Sequence, residues 1–227
     1  MTHSAVFWAL ASTDDLPADL NWLSSEETTK LQQFKFPKRR NEWLLGRWVS
    51  KKVLMKAMPQ ISSIPLPQLS IKNEESGAPI ALSNGSRLSG MLSLSHREDL
   101  ATAAWTSQAD LRIGIDLEKI EPRSTAFIQD FFTKAEAAQV FSQPSENQAL
   151  AACLIWSGKE AILKALQTGL RIDTRQVEVA FTELVIKEED WQPLQIVHSP
   201  SSAESQTLSW LLQPPYVITL AEIADCR

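Results

Sequence analysis

Apolar and polar positions along this chain follow two rhythms, and the switches between them fall at recognisable signals. Val6–Leu10 reads as a strand. Ser24 is followed three residues later by Glu27, the signature of a capped helix that runs on to Lys30. Pro37 breaks the pattern, and an amphipathic helix follows over roughly 38–58 and stops before Pro59. The stretch 59–90 holds Pro59, Pro65, Pro67, Pro79 and three glycines, and reads as loop around a short strand at 69–72. Strands are expected at Leu92–Ser95, 101–106 and Ile113–Glu118, helices at 124–132, 134–142 and 147–167, and strands near 177–185, 207–212 and 216–221. Strands that cluster instead of alternating with helices predict an α+β fold with mostly antiparallel pairing.

The pattern repeats. Shifted by 108 positions, Trp48-Val-Ser-Lys51-Lys52-Val-Leu-Met-Lys56-Ala-Met58 lies over Trp156-Ser-Gly-Lys159-Glu160-Ala-Ile-Leu-Lys164-Ala-Leu166, with the tryptophan, both flanking lysines and the alanine identical. The same shift lays Val6–Leu10 over Gly114–Glu118. Two related halves follow, residues 1–108 and 109–227, as a pseudodimer of similar α+β units. Such a pair packs about a pseudo-twofold axis and leaves a ligand cleft between its halves. The acids are not repeated: where the second half has Asp116, Glu118 and Glu160, the first has Trp8, Leu10 and Lys52. That asymmetry predicts one metal-type site, in the second half, and a basic first half.

Composition narrows the class. The 227 residues are 44% hydrophobic and 22% charged, which excludes a disordered chain, and no apolar run is long enough to span a membrane. Ala5–Ala11 lacks a basic flank and meets Asp14 and Asp15, unlike a signal peptide. Cys153 and Cys226 make neither a disulfide framework nor a zinc site, and point to a reducing cytoplasm. A net charge of −5 disfavours nucleic acid as a partner. Yet Lys30–Lys56 carries nine basic residues against Glu42 alone: a solvated helical face, or a surface for a phosphorylated molecule or an acidic protein. Arginine forks suit phosphate, which singles out Arg40 and Arg47.

Asp116 and Glu118 stand two apart on a strand and leave the same face. Adjacent carboxylates repel unless a cation or protons intervene, and a hard divalent ion such as magnesium is the economical answer; the alternative is a solvated acidic edge running on through Glu121. Glu160 and Lys164 lie one helical turn apart, either an ordinary surface pair or a third ligand or proton acceptor beside a phosphate-holding ammonium. Ser95 and His96 end a strand. Neighbours there point apart and no nucleophile elbow surrounds them, which disfavours covalent catalysis and leaves either an exposed loop histidine or a hydrogen-bond donor to phosphate. His3 and His198 look incidental.

Taken together, Leu92-Ser-Leu-Ser-His96, Ile113-Gly-Ile-Asp-Leu-Glu118, Phe131-Phe-Thr-Lys-Ala-Glu136 and Trp156-Ser-Gly-Lys-Glu-Ala-Ile-Leu-Lys164 resemble the Sfp-type 4′-phosphopantetheinyl transferases, from about Lys30 to Leu170. That family's fold is a pseudodimer of two α+β halves. The resemblance implies transfer of phosphopantetheine from coenzyme A to a serine of an apo acyl or peptidyl carrier protein, releasing adenosine 3′,5′-bisphosphate. A phosphohydrolase of such substrates and a non-catalytic module binding coenzyme A or carrier are the alternatives. The resemblance further implies that Asp116, Glu118 and Glu160 hold magnesium, or manganese in its place, and that Glu160 takes the serine proton. Lys159 and Lys164 would stabilise the diphosphate, while Ser95 and His96, with Arg40 and Arg47 nearby, would hold the ribose 3′-phosphate. Glu136 would support the site without ligating. The first half would supply coenzyme A and carrier contacts, with Lys38 and Lys51 on the carrier surface, and the chain would act as a monomer. Gly77-Ala78-Pro79 departs from the family, which often has a basic residue between the glycine and proline; either a phosphate or adenine contact is lost and coenzyme A affinity is lower, or Arg87 or Arg47 supplies it.

Overall fold

The computed structural model describes residues 6–61, 63–184 and 190–224, and the chain divides into two units, Met1–Ala109 and Asp110–Arg227. His3, Cys226 and residue 185 of the expected strand lie outside the described residues.

The first unit runs β1 (Phe7–Ser12), α1 (Ser25–Leu31), α2 (Pro37–Ala57), β2 (Leu69–Asn73), β3 (Pro79–Ser83), β4 (Ser86–Arg87), β5 (Met91–Arg97) and β6 (Leu100–Thr106). Its main sheet has the order β1-β6-β5, antiparallel throughout. The small side chains of β6, Ala101 and Ala103, leave room for α2, whose Leu45, Val49, Val53 and Leu54 complete the buried core. Pro37 occupies the first helical turn of α2, where its missing N–H costs nothing. The expected loop 59–90 contains more order than its prolines suggest: β2, β3 and β4 form a small sheet of their own. The β3–β4 hairpin turns on Asn84 and Gly85, at φ of 49° and 79°, a left-handed pair that Asn-Gly favours.

The second unit runs β7 (Leu111–Lys119), α3 (Thr125–Phe131), α4 (Lys134–Phe141), α5 (Ser145–Ala165), β8 (Glu178–Ala180), β9 (Gln192–His198), β10 (Ser205–Gln213) and β11 (Tyr216–Ala224). The sheet order is β7-β11-β10-β9-β8, with antiparallel neighbours. Its core gathers Leu154, Ile155 and Ile162 of α5 with Val217 and Ala221 of β11 and Val179 of β8. β8 is shorter than the expected 177–185. β9 lay hidden in the sequence because Pro193 and polar neighbours obscure its alternation.

Each unit is thus a leading strand, a long helix, and a hairpin whose last strand returns beside the first: β1-β6-β5 in one and β7-β11-β10 in the other. The correspondence extends to a buried ion pair. In the first unit Lys51 and Glu27 meet at 2.7 Å. Lys51 Nζ also donates to the carbonyls of Trp22 and Leu66, while Glu27 closes a capping box with Ser24 and accepts the Ile71 N–H at 2.9 Å. In the second, Lys159 and Glu136 meet at 2.7 Å. Lys159 Nζ donates to Thr174 and Val177 carbonyls, while Glu136 boxes with Thr133 and accepts the Val179 N–H at 2.9 Å. Both lysines are fully buried. A buried charge needs a partner and full hydrogen bonding, and each unit meets that need by tying its long helix, a shorter capped helix and a strand together at one point.

Candidate active site

The acids sit where β7 lies under α5. Gly114, two residues before Asp116, makes the close approach possible: a Cβ there would fall 1.9 Å from the Ala161 carbonyl oxygen and 2.6 Å from the Ala165 nitrogen. Asp116 and Glu118 share the face of Gly114 by the period of two, so both turn toward the helix. The opposite face, Ile113, Ile115 and Leu117, is buried as the pattern indicates.

Asp116 is 4% exposed. Lys164 Nζ donates to its Oδ1 at 2.7 Å, and the Ser157 hydroxyl to its Oδ2 at 2.8 Å. Glu118 accepts from Trp156 Nε1 at 3.2 Å through Oε1 and from Arg123 at 2.9 Å through Oε2. The Arg123 guanidinium also lies over the Phe127 ring, 5.1 Å from its centroid. The Glu160 carboxylate makes no hydrogen bond or ion pair among the described residues. Burial, then the charge of Asp116, and to a lesser degree that of Glu118, push its carboxyl up to about 7, while Lys164 pulls the other way. The expected Glu160–Lys164 pair is replaced by Lys164–Asp116, because the lysine reaches across to the strand.

The three acids feel one another's charge, but they do not converge as they stand. Among the described residues, no group of three or more histidine, cysteine or carboxylate side chains is arranged to hold a metal ion. Lys164 and Arg123 face two of the three instead. Of the expected contacts here, the Glu160–Lys164 pair is the one corrected.

Lys159 is a second correction. Its ammonium is enclosed by Glu136 and two carbonyls with no exposed surface, so it is a structural cation instead of a diphosphate contact. Lys51 is its counterpart and equally buried, which removes it from any carrier surface. Lys164 remains reachable, with 26% of its side chain exposed.

In the first unit, Arg40 is partly exposed and His96 exposed on β5, with Ser95 beside it. Arg47 is 7% exposed and donates to Asn73 Oδ1 at 2.9 Å, its guanidinium 4.7 Å from the Trp43 ring centroid. Burial pushes its pKa down to about 10 against the pull of Glu27. Arg87 pairs with Glu74 at 2.6 Å. Ser157, Thr219 and Arg123 escaped sequence reasoning. Ser157 lies inside a quoted motif, but only the packing of α5 on β7 shows what its hydroxyl meets.

An acidic strand face, opposed by a helix carrying a perturbed glutamate and a reachable lysine, defines a protein built to handle concentrated charge on a duplicated antiparallel α+β frame. Residues 112–221, just under half of the chain, match the model of the 4′-phosphopantetheinyl transferase superfamily. It is similar to the 4′-phosphopantetheinyl transferase HetI of Nostoc sp., 32% identical over 165 residues, covering 70% of this chain and 65% of the relative. It is also similar to the 4′-phosphopantetheinyl transferase psf-1 of Bacillus pumilus, 28% identical over 149 residues, covering 66% and 60%. The aligned part therefore spans somewhat less than two thirds of each relative's length. Among solved structures, a holo-(acyl-carrier-protein) synthase from Bacillus anthracis in complex with CoA overlaps 44% of this chain and 91% of its own, at 17% identity and a TM-score of 0.37.

Proposed function

We propose that this chain transfers the 4′-phosphopantetheine arm of coenzyme A to a serine hydroxyl of an apo carrier protein, releasing adenosine 3′,5′-bisphosphate. The observation that carries the reading is the acid centre of β7 and α5, within a segment that matches the model of a superfamily named for that transfer. The donor set is all carboxylate oxygen, the chemistry a hard divalent cation takes. The repulsion that lifts Glu160 is the kind such a cation relieves. Asp116, Glu118 and Glu160 would hold magnesium, or manganese in its place, with Asp116 and Glu118 exchanging a basic partner for the ion. When bound, the ion offsets charge on the diphosphate as it is attacked and cleaved.

The remaining work falls to the protein's own side chains. Lys164, once released by Asp116, is placed to hold a diphosphate oxygen. Glu160 would take the serine proton, directly or through a water. Arg40, Ser95 and His96 would hold the ribose 3′-phosphate. Arg47, buried beneath Trp43, would act through packing and Asn73 more than by forking a phosphate itself. Lys38, exposed at the start of α2, belongs to the surface offered to an acidic carrier. A monomer in a reducing cytoplasm suits a chain that carries two units and keeps Cys153 as a buried free thiol.

Incubation with coenzyme A, magnesium and a panel of apo-carriers tests the reading. Transfer adds the phosphopantetheine mass to a carrier. Consumption of coenzyme A with every carrier unmodified would mark a hydrolase, and binding without turnover a recognition module.

A further inference from the structure

The duplication provides a control within one molecule. Both units keep the buried lysine–glutamate pair, which marks that pair as scaffold. Beside the acid, the second unit places two hydroxyls where its long helix meets its sheet. Ser157 and Thr219 are fully buried. The Ser157 hydroxyl lies 2.8 Å from Asp116 Oδ2 and 2.8 Å from Thr219 Oγ1, and Thr219 Oγ1 is 2.8 Å from the Ser157 carbonyl oxygen. Thr219 sits opposite Asp116 in the β7–β11 register.

The equivalent places in the first unit hold no such group. The 108-residue shift puts Val49 at the Ser157 position and Trp8 at that of Asp116, and Ala104 stands opposite Trp8 in the β1–β6 register. Val49 and Ala104 are fully buried as well. The frame therefore packs without hydroxyls at these two positions, and their presence in the second unit tracks the carboxylate.

Proton counting gives the direction of the bonds. A carboxylate accepts only, so the single Ser157 proton turns to Asp116 Oδ2. The Thr219 proton then goes to the serine's carbonyl or hydroxyl oxygen, and either choice holds the serine in place. Lys164 takes the other carboxylate oxygen, so α5 grips Asp116 from two positions two turns apart.

We propose that Ser157, seated by Thr219, is a positioning residue that fixes the Asp116 carboxylate for transfer, an assignment that rests on the function proposed above. Ser157→Ala and Thr219→Val each remove a hydroxyl with little change of shape. Each should lower kcat for carrier modification about 10- to 100-fold, the usual effect of losing a group that orients a ligand, with KM for coenzyme A and carrier unchanged. Thr219→Ser keeps the hydroxyl and should restore kcat. A crystal structure of the Ser157→Ala variant should show Asp116 displaced or in more than one position. Normal kcat in Ser157→Ala overturns the proposal, as does an equal loss in Thr219→Ser. Should the wild-type protein modify no carrier, the transfer reading fails and the crystal structure decides alone: Asp116 unmoved without Ser157 overturns the assignment, and Asp116 displaced supports it.

Discussion

Glu160 shows how a carboxylate's surroundings rewrite its chemistry. Its ordinary value of 4.5 is raised to about 7 by burial and by Asp116 and Glu118. The folded state therefore holds that proton more tightly than the unfolded chain. The stabilisation is fully present below pH 4.5 and is lost as pH rises through about 7. Glu160→Gln removes the titration, so between pH 5 and pH 8 the wild-type melting temperature should fall more than that of the variant. Magnesium should recover part of the wild-type loss at pH 8; parallel melting curves for the two proteins would contradict the placement of Glu160. Asp116→Ala leaves the second unit folded but removes the acceptor of Lys164 and Ser157, and should abolish carrier modification, as followed by mass spectrometry. The shared face of Asp116 and Glu118 was legible in the strand period of two, whereas the grouping of Glu160 with them came from the family resemblance. Their present partners were not legible: Lys164 reaches Asp116 across 48 residues, and Arg123 reaches Glu118 from a loop with no periodicity.

At the scale of elements, the two buried ion pairs make the clearest prediction. Removing one partner of a buried pair strands the other charge and costs about 3–5 kcal/mol. Lys159→Met should destabilise the second unit by that order in urea titrations, and Lys51→Met the first. Adding Glu136→Leu to Lys159→Met should recover only part of the loss, because the Thr133 and Val179 N–H groups lose their acceptor. An unchanged midpoint for Lys159→Met would show the ammonium is not buried as described. Gly114→Ala tests the helix–strand contact: its methyl would collide with backbone, a harsher case than ordinary overpacking at about 1–3 kcal/mol. A lowered melting temperature is expected, together with reduced transfer, since the collision moves Glu160 and Lys164 away from Asp116. The capping boxes of Ser24 and Thr133 are local patterns, and Ser24 was readable from its spacing alone. The fate of Lys51 and Lys159 was not, because lysines at helical spacing ordinarily face water, and their carbonyl partners lie 15 to 29 residues away in sequence.

For the whole molecule, the 108-residue repeat has its counterpart in two units that each run a leading strand, a long helix and a returning hairpin in the same order. The small sheet of β2, β3 and β4 and the strand β9 belong to neither repeat and were not expected in full. Proline and short polar runs mask such elements until a neighbouring strand supplies the pairing. The repeat also separates frame from function: both units share the buried ion pair, while at the compared positions around Asp116 the second carries acids and hydroxyls where the first carries apolar or basic groups. The basic face of the first unit adds a prediction at this scale. Lys38→Glu should raise KM for an acidic carrier more than for coenzyme A, and more so at low salt; an unchanged carrier KM would remove that face from the docking surface.

The account stands most directly on where a dication settles. Crystals grown with coenzyme A and soaked in manganese would locate it by anomalous scattering, independently of any assay. The expected map has one strong peak in the second unit, with oxygens of Asp116, Glu118 and Glu160 all at coordinating distance and Lys164 turned away from Asp116. A peak elsewhere, or none with coenzyme A plainly bound, would contradict the assignment of these acids.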